Sequence, residues 1–449
     1  MKLSIPPLEI SETEGFANGK DIFKRKPFGE ALYKLISNIE DELIIALDAK
    51  WGEGKTTFIK MWRGYLTENN IKSIYFDAFS NDYMDDPFTA LSGEIYDLAK
   101  ALKVPEEKIK KYKDKAVQAS KVLLKSGMKI GIKALTIGVL DGTELENLGA
   151  DKDIADEAAK TTEQYLSHVF DNYKEDKACL NNFRLTLQEL AGAVSSDGKP
   201  VVFIIDELDR CKPTFALELL EKIKHVFSVQ KIVFVLVMNR EQIEESVRCQ
   251  YGSGIKANQY LQKFVNIWCS LPKNASKYGS DLWTYYHHLM KLHNYQITSQ
   301  HDENLNDFMK DYIGHCSLSL RELEQIVVNI ILVKTTMYSL NNYHEILIPF
   351  LAIVKVANPG IYQKLRESKC TYEELYDSFD LQYLVTDWFE GKNEKHPLTW
   401  LLRYCLMSDE DLKKIEPKDY FAKTGMYDSQ RQSVIPFIFN SMSTFTFTQ

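Results

Sequence analysis

At 449 residues the chain is long enough for two or three domains. Its 45% hydrophobic and 26% charged residues are the mix of an ordinary folded protein, and 21 glycines with 13 prolines exclude collagen-like and low-complexity classes. A formal charge of −8 excludes a uniformly basic nucleic-acid coat, and seven scattered cysteines without a Cys-x-x-Cys pair support neither a disulfide framework nor a zinc ribbon.

In chain order, the opening MKLSIPPLEISETEG has two prolines, three glutamates and no apolar targeting run. Residues 43–47, LIIAL, are continuously apolar and predict a strand buried on both faces. A helical pattern follows over 55–67, then a strand over 71–76 and a helix over 87–102. Strands are predicted again at 201–205, VVFII, and 231–237, KIVFVLV, each followed by a helix, at 214–228 and 240–248. Apolar strands alternating with helices predict a parallel sheet covered on both faces. The roughly 120 residues between the second and third strands exceed any ordinary crossover, so a helical insertion is expected there. Its first part, 103–133, holds ten lysines against three acids, and 141–158 holds seven acids against one lysine. Two solvated faces explain such runs, and so does a contact surface for anionic lipid or nucleic acid. The stretch 118–140 is the nearest approach to a membrane segment, but Lys121, Lys125, Lys129 and Lys133 interrupt it. Beyond 265 the strand signals fade, and helices are expected at 281–294, 302–313, 319–336, 344–357, 372–380 and 397–406. The tail, IPFIFNSMSTFTFT, alternates aromatics with small polar residues and predicts a terminal strand or an extended segment.

The first strand runs into Asp48-Ala49-Lys50-Trp51-Gly52-Glu53-Gly54-Lys55-Thr56-Thr57 and then a helix. A glycine-rich turn between strand and helix lets backbone N–H groups wrap a phosphate chain, aided by the helix N-terminus. Trp51 to Thr57 are therefore the expected nucleotide-binding residues, with Lys55 on the β- and γ-phosphates and the Thr56 hydroxyl on Mg²⁺. Ala49 stands where such loops usually begin with glycine. The third strand ends in Asp206-Glu207-Leu208-Asp209-Arg210. Asp206 is expected to hold Mg²⁺, directly or through water, and Glu207 to polarise the attacking water. Asn239, at the tip of the fourth strand, is either a sensor of the γ-phosphate and that water or the N-cap of the next helix. No Asn-Lys-x-Asp follows the fourth strand, which argues for adenine over guanine. His287, His288, His293 and His301 lack metal-ligand spacing, and no serine or cysteine nucleophile motif or nuclease-like acidic array is present.

Four blocks, AKWGEGKTT, IIDELDRCKP, VFVLVMNREQI and QYLQKFVNIWCSLP, occur in this order. In them the chain resembles a KAP-family P-loop NTPase, an AAA-related branch of the additional-strand group. A further stretch, SLSLRELE at 317–324, is similar to the family's lid-helix motif, and the resemblance implies that Arg321 reaches back to the nucleotide as a catalytic residue beside Glu207 and Asn239. The likeness covers about 21–335. It departs at Asn239, where the family usually has aspartate, and at the insertion, where many relatives carry transmembrane helices. It also implies that Asp21, Ile22 and Phe28 border the adenine or, equally, pack the fold. The family includes a plasmid-borne phage-exclusion protein and a neuronal membrane scaffold.

The expected architecture is α/β: an N-terminal extension (1–20), a parallel-sheet P-loop NTPase core in two parts (21–80 and 199–275), a helical insertion (81–198), a helical lid (276–335) and a mostly helical C-terminal region (336–449). The expected activity is ATP binding and Mg²⁺-dependent hydrolysis used as a conformational or assembly switch, in bacterial anti-phage defence. The alternative is a non-hydrolysing ATP-binding scaffold at the membrane surface. Expected partners are a second copy of the chain or an effector encoded nearby; membrane contact would run through 118–140, and little beyond charge points to nucleic acid. A basic residue in trans, from Arg210, Arg248 or Lys263, would complete an oligomeric site. The expected location is cytoplasmic or peripheral to the membrane.

Overall fold

The computed structural model describes residues 9–136, 174–381 and 397–443, apart from 12, 18, 40, 85, 196–197, 275–279, 296–299, 316–317, 337–340, 409 and 411–430. The acidic run at 141–158, the end of 118–140, Ser317 and the FTFT of the tail lie outside the described residues. The chain divides into two compact units.

The first unit, Ile10–Lys50 with Lys55–Pro272, is built on one parallel sheet. Its strands are β1 (Leu43–Asp48), β2 (Ser73–Asp77), β3 (Val201–Asp206), β4 (Ile232–Met238) and β5 (Ile267–Ser270), in spatial order β2-β3-β4-β1-β5. β3 and β4 are buried at every residue, which is why their sequences are continuous apolar runs rather than alternating ones. β2 alternates half-buried and buried residues. The sequence offers no signal for β5, whose four residues, Ile-Trp-Cys-Ser, are only partly covered. An edge strand pairs on one side and needs no long apolar run.

Helices cover both faces. They are α1 (Lys26–Ser37), α2 (Lys55–Glu68), α3 (Ala78–Asn81), α4 (Pro87–Ala101), α5 (Glu106–Thr136), α6 (174–194), α7 (Pro213–Lys222), α8 (Arg240–Tyr251) and the short α9 (Ala257–Leu261). The α7 helix ends in a wider turn, where the Ser228 N–H reaches the Ile223 carbonyl five residues back at 2.8 Å. On one face, Phe88 of α4 packs on Phe183 of α6 and on Phe227, with ring centroids 5.1 and 5.3 Å apart. All three rings are fully buried, each contributing about 1.5–3 kcal/mol of apolar burial. The described helices between β2 and β3 thus share the core of the sheet: Ile109, Tyr112 and Ala119 of α5 lie in the same cluster as Phe203 and Phe234. On the other face, Leu32, Phe58, Trp62 and Leu66 pack against Ile45, Val202 and Val235.

The second unit holds Trp51–Gly54 and Lys273–Gln449. It is helical: α10 (Asp281–Leu292), α11 (Gln300–His315), α12 (Leu320–Thr336), α13 (Asn342–Ala357), α14 (Pro359–Arg366), α15 (Tyr372–Ser378), α16 (Pro397–Leu406) and α17 (Val434–Ser443). α12 and α13 form its centre, with Ile326, Ile330, Leu347 and Leu351 fully buried. The expected terminal strand is absent over the described part of the tail, because α17 is a helix there. Its buried positions, Val434, Ile435, Ile438, Phe439 and Met442, follow a 3.6-residue period, and Pro436 falls in the first turn, where no intrahelical N–H is needed. Lys355 ties α17 down by donating to the Met442 carbonyl (2.8 Å) and to Asn329 Oδ1 (2.9 Å). Among the described residues no helix is long and apolar enough to cross a membrane.

Candidate nucleotide site

The end of β1 leads into the glycine turn without glycine at position 49. Ala49 extends the ladder, its N–H donating to the Met238 carbonyl at 3.2 Å, and its side chain is buried. Positive φ is instead required at Gly52 (+77°) and Gly54 (+81°), the two positions that are glycine. That accounts for the departure at Ala49. Lys55 and Thr56 then open α2. Lys55 Nζ donates to the Ala49 carbonyl at 2.6 Å and lies 3.4 Å from that of Lys50, so the ammonium is folded back over the turn.

β3 delivers Asp206 to the same end of the sheet. The carboxylate is fully buried, and three donors surround it. Thr56 Oγ1 donates to Oδ2 at 2.9 Å, the Tyr75 hydroxyl to Oδ2 at 3.0 Å, and the Glu207 N–H to Oδ1 at 2.9 Å. Burial raises the Asp206 pKa above the ordinary carboxylate value, opposed by the three hydrogen bonds and the Lys55 charge. Glu207 sits in left-handed backbone at φ +58°, a conformation costing a non-glycine residue roughly 1–2 kcal/mol. Burial raises its carboxyl pKa; Arg210 lowers it, and Asp206, Asp77 and Asp209 raise it further. Arg210 Nε is 3.2 Å from Glu207 Oε2.

Asn239 caps α8, its side chain accepting the Glu241 N–H at 3.1 Å, and Asp48 Oδ1 accepts the neighbouring Arg240 N–H at 2.9 Å. The N-terminus of α8 is thus held by the ends of both β4 and β1. Of the basic residues considered for action in trans, Arg210 contacts Glu207, Arg248 pairs with Glu244 (3.3 Å) and Glu245, and Lys263 lies 5.8 Å from the centre of the Tyr260 ring. Asp21 caps α1 by accepting the Arg25 and Lys26 N–H groups at 2.8 and 2.9 Å. Ile22 is half-buried, and the Phe28 ring packs on Phe58 at 5.4 Å.

Within the second unit, Trp51 is 44% exposed, and Glu53 pairs with Lys273. The Gly52 carbonyl accepts the Leu320 N–H at 3.1 Å. A Cβ at position 52 would lie 3.2 Å from Ser319 and 3.3 Å from the Cβ of Arg321. Ser319 and Glu322 cap α12 reciprocally, Ser319 N–H to Glu322 Oε2 at 2.7 Å and Glu322 N–H to Ser319 Oγ at 3.2 Å. Arg321 itself is exposed.

Two groups around Asp206 have no sequence motif. Tyr75 stands in the half-buried phase of the β2 alternation. Asp77 is the register partner of Asp206 across β2 and β3 and caps α3 by accepting the Ser80 N–H at 2.9 Å. The period-2 alternation of β2, Ser73–Asp77, places Tyr75 and Asp77 on one face, but only the strand pairing brings that face to Asp206. As a metal site, the hydroxyl of Thr56 and the carboxylate of Asp206 are the hard oxygen donors that suit Mg²⁺, a cation that takes few protein ligands and completes its shell with water and phosphate. Among the described residues no cluster of three or more His, Cys, Asp or Glu side chains could hold a metal.

A parallel sheet with β4 inserted between the loop-bearing β1 and the acid-bearing β3, a Gly-x-Gly-Lys-Thr turn and a buried acid on the helix-opening threonine together define a P-loop NTPase fold of the additional-strand type. The chain belongs to the KAP family: the KAP family P-loop domain matches residues 25–337, close to the 21–335 expected from the motif blocks. Among solved structures, the Aeropyrum pernix ORC2 protein in its ADPNP–ADP complexes is 14% identical with a TM-score of 0.33, over 94% of this chain and 95% of that one. Its ADP form is 12% identical with a TM-score of 0.32, over 98% and 96%. No curated protein matches the chain.

Proposed function

We propose that this protein is a Mg²⁺-dependent ATPase that uses its nucleotide cycle as a conformational or assembly switch. One observation carries this reading: the fully buried Asp206 carboxylate is hydrogen-bonded to Thr56, the residue after the loop lysine, with Glu207 next in the chain. In this account the backbone of Trp51 to Thr57 wraps the phosphates, and Lys55 leaves the Ala49 carbonyl to neutralise the β- and γ-phosphates. Mg²⁺, when bound, offsets negative charge on those phosphates, and Thr56 with Asp206 would hold it. Glu207 takes the proton of the attacking water, Asn239 helps orient that water, and Arg321 contributes positive charge from α12. The nucleotide-dependent units are the core in two parts, the insertion 81–198 and the lid 276–335. A second copy of the chain, or an effector encoded nearby, receives the signal, and the setting is defence against phage.

Glu207→Gln tests the catalytic half of the proposal. It keeps shape and hydrogen-bonding capacity but removes the base, so turnover falls by about 10²–10⁴ while ATP still binds. Undiminished turnover would place the base elsewhere. Undetectable turnover in the wild type with tight ATP binding would favour a scaffold that only holds nucleotide. One observation favours placing such a scaffold at a membrane surface: α5 exposes Lys110, Lys113 and Lys121 together with Val117 (47% exposed) and Leu124 (52% exposed), the mixed basic and apolar surface of an interfacial helix.

A further inference from the structure

A carboxylate has four acceptor positions, two on each oxygen. On Asp206, Oδ2 receives two hydroxyl protons, from Thr56 at 2.9 Å and Tyr75 at 3.0 Å, and Oδ1 receives the Glu207 N–H at 2.9 Å. Oδ2 is therefore saturated, and the remaining acceptor position is on Oδ1. Because Thr56 spends its proton on Oδ2, its oxygen lone pairs are left to face a cation. The second hydroxyl comes from outside the loop and the acidic motif. Tyr75 lies on β2, in register with Ile204 of β3, and Arg63 of α2 stands 5.2 Å from the centre of its ring. The ring is thus held from one side by a guanidinium and at its tip by the carboxylate.

We propose that Tyr75 is a positioning residue for the metal site, fixing the Asp206 carboxylate so that Thr56 presents its oxygen and Asp206 its Oδ1. The proposal rests on the Mg²⁺-dependent reading above. A phenol is an ordinary proton donor at neutral pH, so the bond needs no unusual ionisation. Without it, Oδ2 regains a lone pair and the carboxylate can rotate. Thr56 then competes with other donors for a less ordered acceptor.

The test is Tyr75→Phe, which removes one oxygen and keeps the ring under Arg63. ATP binding is followed by calorimetry across a Mg²⁺ series and in EDTA, with no turnover required. The Mg²⁺ concentration for half-maximal tightening of ATP binding should rise about tenfold, the usual loss when an outer-shell partner of a metal ligand is removed. ATP affinity in EDTA should be unchanged. Asp206→Asn is the control. If it leaves the Mg²⁺ dependence unmoved, the metal reading itself fails. If it moves the dependence and Tyr75→Phe does not, the positioning role is overturned. A lowered thermal midpoint in Tyr75→Phe with unmoved Mg²⁺ dependence would assign Tyr75 a structural role alone and also overturn the proposal.

Discussion

Replacing Asp206 by asparagine should cost the protein its metal-dependent activity and, at neutral pH, raise its stability. In the native state the carboxylate accepts three hydrogen bonds while fully buried. Hydrogen bonds to a charged group contribute roughly 1.5–3 kcal/mol each. Burying the ion costs several kcal/mol, so the two are of similar size. The direction of the Asp206 pKa decides between them. It lies above the ordinary value despite the hydrogen bonds and Lys55, so ionised Asp206 is worse off in the fold than in water. An amide avoids that cost. Its oxygen can take the Glu207 N–H, and its NH₂ can donate to the Thr56 and Tyr75 oxygens, whose protons turn elsewhere. We expect a stabilised fold at neutral pH, read as a raised thermal midpoint. The advantage has a defined pH dependence. A raised carboxyl pKa means the folded state binds more protons than the unfolded one, so the wild type loses this stability as pH rises through the window above the ordinary value. The gain from Asp206→Asn should therefore be present at pH 7 and vanish in acid. Mg²⁺-dependent turnover should fall at least tenfold. Thermal melts at pH 7 and pH 4, beside steady-state ATP hydrolysis, check both halves. A midpoint lowered by more than about 6 °C with unchanged turnover would refute the reasoning and make Asp206 structural.

Asn239→Ala removes an N-cap and should destabilise the sheet unit by about 1 kcal/mol, read as a midpoint lowered by about 2–4 °C. Because Asp48 still accepts the Arg240 N–H, a loss well above about 2 kcal/mol would contradict the shared cap. His344 Nδ1 accepts the Asn341 N–H at 3.0 Å in a capping box, and burial lowers its pKa to about 4 from the usual 6.5. The unfolded chain takes up a proton that the fold refuses, so this stability is complete above about pH 6.5 and is lost as pH falls towards 4. At about 1.36 kcal/mol per unit, halved for solvent screening, it amounts to about 1–2 kcal/mol. His344→Gln keeps a residue able to complete the box and should remove that share of the acid sensitivity in urea unfolding at pH 7.5 and 4.5. An unaltered difference between the two pH values would locate the sensitivity elsewhere.

The three inner strands, β1, β3 and β4, are legible because burial on both faces forces a continuous apolar run, as in Val201–Asp206 and Ile232–Met238, and the edge strand β2 is legible through its period-2 alternation. β5 is not, because an edge strand needs only Ile267–Ser270 and one neighbour. The positions of Lys55, Thr56 and Asp206 are readable from a strand, a glycine turn and a helix start, all local signals. Tyr75 is not readable, since its meeting with Asp206 follows from the pairing of β2 with β3 across a long separation in sequence. The described part of the tail, up to Ser443, misleads for the opposite reason. Alternating aromatics suggest a strand, but Ile435, Ile438, Phe439 and Met442 also satisfy a helical period, and packing against the helical core selects that alternative. Asn239 shows an ambiguity that chemistry leaves in the sequence, since an amide at a strand tip serves as cap or sensor with the same atoms.

The central claim is that the turn from Trp51 to Thr57 holds ATP through Lys55, and calorimetric titration of ATP with Mg²⁺ into wild type and Lys55→Ala tests it most directly. The account predicts a single saturable site in the wild type and binding weakened at least tenfold in Lys55→Ala, with the thermal midpoint of the variant in the absence of nucleotide unchanged. Equal ATP affinity in the two proteins would contradict it.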